Sequence, residues 1–210
     1  MTNVPARDCS RGPGLFRLPA GLSSVELVVV MALVSALAAA TARGAFQLQS
    51  ALAVRSAAAE LAATFFRARA FAITRGVSVG VKFRKDGGRY EWALYRDGNR
   101  NGIRSAEIAS GVDRPLGIAI VWPRNDVRPG ILEGGFVPDP STPGLKLDNP
   151  DDPIRFGGSD ICSFSPAGES TPGSVYLWDG RDRMAVVRVF GRSAKVRTLY
   201  YFRGEKNWRK

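Results

Sequence analysis

The 210-residue sequence has no histidine. That removes imidazole acid–base chemistry and histidine-ligated metal from consideration. Cysteine is almost as scarce, at two, Cys9 and Cys162, and they form no paired-cysteine motif. There is no P-loop and no hydrolase elbow. Ser159, in Gly157-Gly158-Ser159-Asp160, has no imidazole to activate it. No catalytic residue is assigned, and neither an enzyme nor a cofactor or metal is expected. Acidic residues are in the minority, 19 against 30 Lys and Arg, for a net charge of +11. Such a balance favours anionic partners, whether nucleic acid, lipid headgroups or an acidic protein surface. No internal repeat is present, and long apolar runs are absent but for one.

That one run extends from Leu22 to Ala42 and is closed by Arg43. A helix rises about 1.5 Å per residue, so about 20 apolar residues cross a hydrocarbon core of about 30 Å. The run holds one ionisable side chain, Glu26, near its start. A carboxylate near the bilayer centre costs about 2.5–3.5 kcal/mol or more, so something must offset it. Residues 1–20 show no periodicity. Their Arg7, Arg11 and Arg17, opposed by Asp8, place the start of the run on the cytoplasmic side and the globular part outside the cytoplasm. Three other readings compete. A secretory signal peptide would be cut near Ala40-Thr41-Ala42, but this apolar core exceeds the usual length of about 7–15 residues and contains Glu26. A simple membrane anchor is the second. The third, a buried helix of a soluble protein, lacks another long apolar helix to cover it.

The helical signal continues from Ala45 to about Thr74 in an alanine-rich stretch. Leu48, Leu52, Ala59, Ala62, Phe66 and Phe71 recur at helical spacing and are expected to form its apolar face. Arg55, Glu60, Arg67 and Arg69 are left for water or a partner. Gly76 after Arg75 suits a C-cap, and Gly44 is an expected weak point. From Val77 the period falls to two. Val77–Phe83 and Tyr90–Arg96 flank Asp86-Gly87-Gly88, a hairpin pattern. Strand-like runs succeed it at 117–122, 131–137, 154–156, 161–164, 174–178, 184–190 and 195–202, with turn signals at Asp179-Gly180 and Gly191-Arg192. Residues 138–153 are rich in Pro and Asp and are expected to form a surface loop. The pattern implies an α+β fold, a long N-terminal helix packed on a mainly antiparallel β domain.

Two stretches carry candidate binding residues. Asp97-Gly98-Asn99-Arg100-Asn101-Gly102 matches the first half of a calcium loop, but the closing position, 108, is Ile108. Arg100 and Arg104 bring positive charge to the place of an ion, and a tight turn accounts for the same residues. After residue 180 the chain carries ten basic side chains against two acidic ones, interleaved with Tyr200, Tyr201, Phe202 and Trp208. Clustered cations with aromatic faces suit phosphate and single-strand binding, but a solvated outer face with core aromatics is the commoner origin of such a pattern.

Gly21-Leu22-Ser23-Ser24-Val25-Glu26 ahead of a long apolar helix resembles the processing site of type IV prepilins and type II secretion pseudopilins. Leu22 stands where Phe is usual, Ser23-Ser24 where Thr-Leu is common, and Arg43-Gly44 where many pilins have Pro. The resemblance implies that a prepilin peptidase cuts between Gly21 and Leu22 and methylates the new terminus. It also implies that Glu26 meets the terminal amine of a neighbouring subunit, an ammonium that would offset its desolvation. Cys9 would leave with the leader, so no internal disulfide could form, and Cys162 reads as a small core residue.

Phe164-Ser165-Pro166-Ala167-Gly168 and the later Val189-Phe190-Gly191-Arg192 narrow the resemblance to the GspH/FimT group of minor pseudopilins and pilins. Some FimT-like members bind DNA through a G-R-x-R element. Here the run is Gly191-Arg192-Ser193-Ala194-Lys195-Val196-Arg197, which makes Arg192, Lys195 and Arg197 the candidate DNA-binding residues.

The implied organisation is a leader over 1–21, a transmembrane half-helix over 22–43, an amphipathic half-helix over 44–76 and a periplasmic β domain over 77–210. The implied role is a subunit that initiates or caps a short filament at the bacterial inner membrane, with other pilins or pseudopilins and secreted cargo as partners. The alternative is a DNA-binding minor pilin for transformation. The intact mass of the purified chain tests the processing: loss of residues 1–21 with gain of one methyl is expected, and loss of 1–42 would identify a secreted β protein instead.

Overall fold

The computed structural model describes residues 23–122, 127–142 and 144–210. Its first element is α1, Ser24–Arg75. Alanine dominates the helix, and Glu26 lies in its first turn, where the helix dipole favours negative charge. Its end is a Schellman-type cap. Gly76 takes a φ of +64°, and the Val77 N–H donates to the Ala72 carbonyl at 3.3 Å. The chain divides into two units, Met1–Gly44 and Ala45–Lys210. The division falls where Gly44 interrupts the run of good helix formers.

In the first unit, Ser24–Thr41 has a mean hydropathy of 2.1 and none of it is buried. A bare apolar helix of this length is suited to lipid.

In the second unit α1 is a core element. Val54, Ala57, Ala58, Leu61, Phe65, Ala68 and Ala72 are buried along one stripe. This is not the face that the bulky residues suggest. Leu48, Leu52, Ala59 and Phe66 are exposed, and Ala62 and Phe71 are half-buried at the margins. The reason is steric: two sheets converge on the helix, and alanines let backbones approach where leucines would hold them apart.

The first sheet comprises β1 (Val79–Asp86), β2 (Arg89–Arg96), β3 (Arg114–Pro115), β4 (Ile120–Trp122) and β7 (Ile161–Phe164), in the order β3-β2-β1-β7 with β4 also on β2. The second comprises β5 (Arg128–Pro129), β6 (Ile154–Arg155), β8 (Gly173–Trp178), β9 (Arg183–Phe190) and β10 (Lys195–Phe202), in the order β10-β9-β8-β5 with β6 also on β8. All these strand pairs are antiparallel. The alternation of period two sends Val79, Val81 and Phe83 from one sheet and Val175, Leu177, Ala185, Val187 and Val189 from the other onto α1. Phe65 fills the centre, with ring centroids 5.9 Å from Phe156, 6.1 Å from Phe164 and 6.3 Å from Phe83.

Residues 131–137, expected to be a strand, form none. They fold over the outer face of the second sheet, where Ile131, Leu132, Val137 and Leu147 make a second buried cluster with Tyr176, Trp178, Met184, Val186 and Tyr201. Trp208 closes this cluster, its Nε1 donating to the Pro138 carbonyl at 2.7 Å. The Tyr201 hydroxyl donates to the Phe136 carbonyl at 3.0 Å. The Pro-rich 138–153 segment is thus fastened at its start, where the Leu147 N–H donates to the Val137 carbonyl at 2.8 Å. The strands β3 and β5 and the short helix α2 (Ser105–Ser110) were not evident from periodicity.

Two single substitutions on adjacent residues distinguish the buried face of α1 from the open one. Phe65→Ala is expected to lower unfolding free energy by about 3–5 kcal/mol in a denaturant titration, as for a buried aromatic. Phe66→Ala is expected to change it by about 0.5 kcal/mol or less, as for a surface position.

Candidate functional site

Glu26 is the only ionisable group in the described part of the apolar run, and its side chain is exposed there. No described protein group surrounds it to offset desolvation, so in lipid any partner must come from outside this segment. Gly21 and Leu22, the expected cleavage site, lie outside the described residues.

The 97–113 segment is built on two buried carboxylates, only one of which the motif revealed. Asp97 Oδ1 accepts from the Asn99 and Arg100 N–H groups at 3.1 and 2.7 Å, and Oδ2 from Gly102 N–H at 2.7 Å. Asp113, fully buried, accepts from Gly98 and Arg104 N–H at 3.1 and 3.0 Å. Glu107 Oε1 takes the amides of Asn99 and Asn101 at 3.2 and 2.7 Å. Every oxygen of Asp97 and Asp113 thus faces an N–H donor, the opposite of what a cation requires. The carboxylates here order a turn. Gly98 is required by contact: a Cβ there would meet the Val112 carbonyl.

Cys162 and the exposed Ser159 are the remaining nucleophile candidates. Cys162 is fully buried, and burial pushes its thiol well above the ordinary range, which leaves it inert. Ser159 presents its carbonyl to Lys82 Nζ. Burial lowers the Lys82 pKa, with Asp160 acting in the opposite sense.

The basic C-terminal residues are divided by the β9–β10 hairpin. Register pairs Phe190 with Lys195 and Arg188 with Arg197 at the turn end, and Arg183 with Phe202 at the other. Lys195 and Arg197, two residues apart, share the outer face of the second sheet with Arg188, which sequence alone did not single out. Both Arg188 and Arg197 lie over the Phe190 ring, at 5.5 and 5.7 Å. Two guanidiniums directly opposite each other on a sheet repel, and among the described residues neither forms an ion pair. That is an arrangement an anion would relieve. Arg192 is exposed in the turn itself. The turn is fixed by Gly191, where a Cβ would come within 3.3 Å of the Ser170 carbonyl, and by Ala194, which is buried at a φ of +44°. Beside it, Phe164 anchors its motif in the core and Gly168, at φ +83°, donates its N–H to the Ser165 carbonyl at 3.0 Å.

A model of the family described as "Type II transport protein GspH" matches residues 57–191. Searches against curated proteins and against solved structures returned no match. The matched stretch begins on the buried face of α1 and ends at the Gly191 turn, and so covers both sheets up to β10. It spans more than half of the sequence and coincides with the helix-on-two-sheets core and the Phe164–Gly168 turn. This chain belongs to the GspH family of type II transport proteins, as a pseudopilin whose N-terminal helix is long and apolar enough to cross a membrane.

Proposed function

We propose that this chain is a minor pseudopilin that helps initiate or cap a periplasmic filament of a type II secretion or type IV pilus machine, after prepilin peptidase has cut between Gly21 and Leu22. One observation carries the reading: α1 has two apolar faces. One is buried in its own domain, and the other leaves Leu48, Leu52, Phe66 and Ile73 between 49 and 61% exposed. A soluble domain has no use for such a stripe, whereas a subunit that packs beside other helices does. Its role is assembly rather than catalysis. The Leu22 amine of one subunit and Glu26 of another guide docking, and the apolar run exchanges lipid for neighbouring helices. Pairing with the ammonium offsets the desolvation of Glu26, a cost that rises to about 2.5–3.5 kcal/mol for a charge at the bilayer centre. The β domain then meets partner pilins or cargo in the periplasm.

The convergence of Arg188, Lys195 and Arg197 on one outer face favours a second reading, a DNA-binding minor pilin in which these cations neutralise phosphates.

Glu26→Ala is expected to leave peptidase cleavage intact and to abolish incorporation into filaments, scored by cross-linking to other pilins. Normal incorporation would remove the assigned role. For the second reading, Arg192→Glu with Lys195→Glu should abolish a salt-dependent mobility shift with duplex DNA. Single changes should lower the salt slope by about 0.9 for each phosphate no longer neutralised. Absence of any shift for the unaltered chain at low salt would sink that reading.

A further inference from the structure

The other end of the β9–β10 hairpin carries a second basic surface that no DNA-type motif marks. Beside the helix turn at Ala51–Arg55, a groove of about 180 Å³ is lined by Arg55, Arg183, Arg209 and Lys210, with Glu205 the sole acid. Glu205 is already paired with Arg209 at 2.9 Å. Phe202 lies at the rim, 40% exposed, with the Arg183 guanidinium 4.9 Å from its ring centroid. Lys206 is exposed nearby. Five residues of strand, about 17 Å, separate Arg183 from Arg188 and Phe202 from Arg197, and alternation puts the two pairs on opposite faces of the sheet, so the two surfaces are distinct.

We propose that this groove docks the globular unit onto the anionic headgroups of the bilayer that holds its own anchor. The proposal rests on the membrane-anchored reading. Two observations select a lipid surface over other anions. Ser50, hydrogen-bonded to Asp179 at the start of the β8–β9 turn, lies only nine residues past the end of the candidate span, which even fully extended reach about 30 Å. The tether therefore keeps the groove within about 30 Å of the end of the candidate span, close enough to reach the headgroups. An exposed aromatic among clustered Lys and Arg is also the composition that seats in the headgroup layer, where the cations meet phosphate and the ring meets acyl chain. Before assembly, such docking holds the subunit's β domain against the membrane. Extraction into a filament then breaks it.

The test is amide hydrogen exchange of the full-length chain in phosphatidylcholine vesicles and in vesicles that also contain phosphatidylglycerol. Exchange over residues 199–210 is expected to be about threefold slower or more with the anionic lipid, and the difference should vanish at high salt and in Lys206→Glu/Arg209→Glu/Lys210→Glu. If that variant also loses protection in β8 and β9, Lys206→Glu/Lys210→Glu takes its place, since neither lysine forms an ion pair among the described residues. Equal exchange in both vesicles overturns the proposal. So does equal slowing by inorganic phosphate added to phosphatidylcholine vesicles, which would reveal a small-anion site. Retention in the vesicles after an alkaline carbonate wash reports the anchor separately, so failure of the membrane reading is distinguishable from failure of the groove.

Discussion

The globular unit depends on how close two sheets can come to one helix. Ala57, Ala58, Ala68 and Ala72 supply that closeness, and Phe65 fills the space they leave between the sheets. Interiors are packed near crystalline density, so the small residues and the single large one are a matched set. Once they fix the helix between the sheets, both inner faces are determined, and with them the register that places every exposed cation. The family match begins at this stripe, which is consistent with its being the shared constraint.

How much of this was legible depended on the kind of signal. The helix was plain from its alanine content and its Gly76 cap, and the long strands β1, β2, β8, β9 and β10 were plain from alternation. The buried face of α1 was not, because both faces are apolar and hydrophobicity alone points to Leu48, Leu52 and Phe66. What decides burial is size, and alanine gives little hydrophobic signal. Residues 131–137 alternate convincingly yet form a cover, since β8 already has partners along that edge in β5 and β6. Short elements such as β3 and β5 carry too few residues for any period to show.

Candidate sites showed the same division. Net charge marked the basic C-terminal segment, but only strand register shows that it divides into two ends and that Arg188 joins Lys195 and Arg197. The acidic loop looked like half an ion site because alternate oxygens suit a cation and a ring of backbone amides equally well. Asp113, well beyond the motif in the chain, decides between them by filling the remaining N–H groups of the same turn. Glu26 was legible for the opposite reason: a lone carboxylate in an apolar run has no local explanation.

The closure of the outer cluster by Trp208 has a consequence for biogenesis. A chain made from its N-terminus delivers α1 and the β1–β2 hairpin early, and folding tends to consolidate in that order. Tyr176, Trp178 and Val186 must wait, because the residues that shield them include Tyr201 and Trp208, near the far end of the sequence. During synthesis the nascent domain therefore has a sticky flank that is sealed late. A chaperone would find its best foothold there, and ribosome stalling before Tyr201 and Trp208 emerge would leave that foothold open.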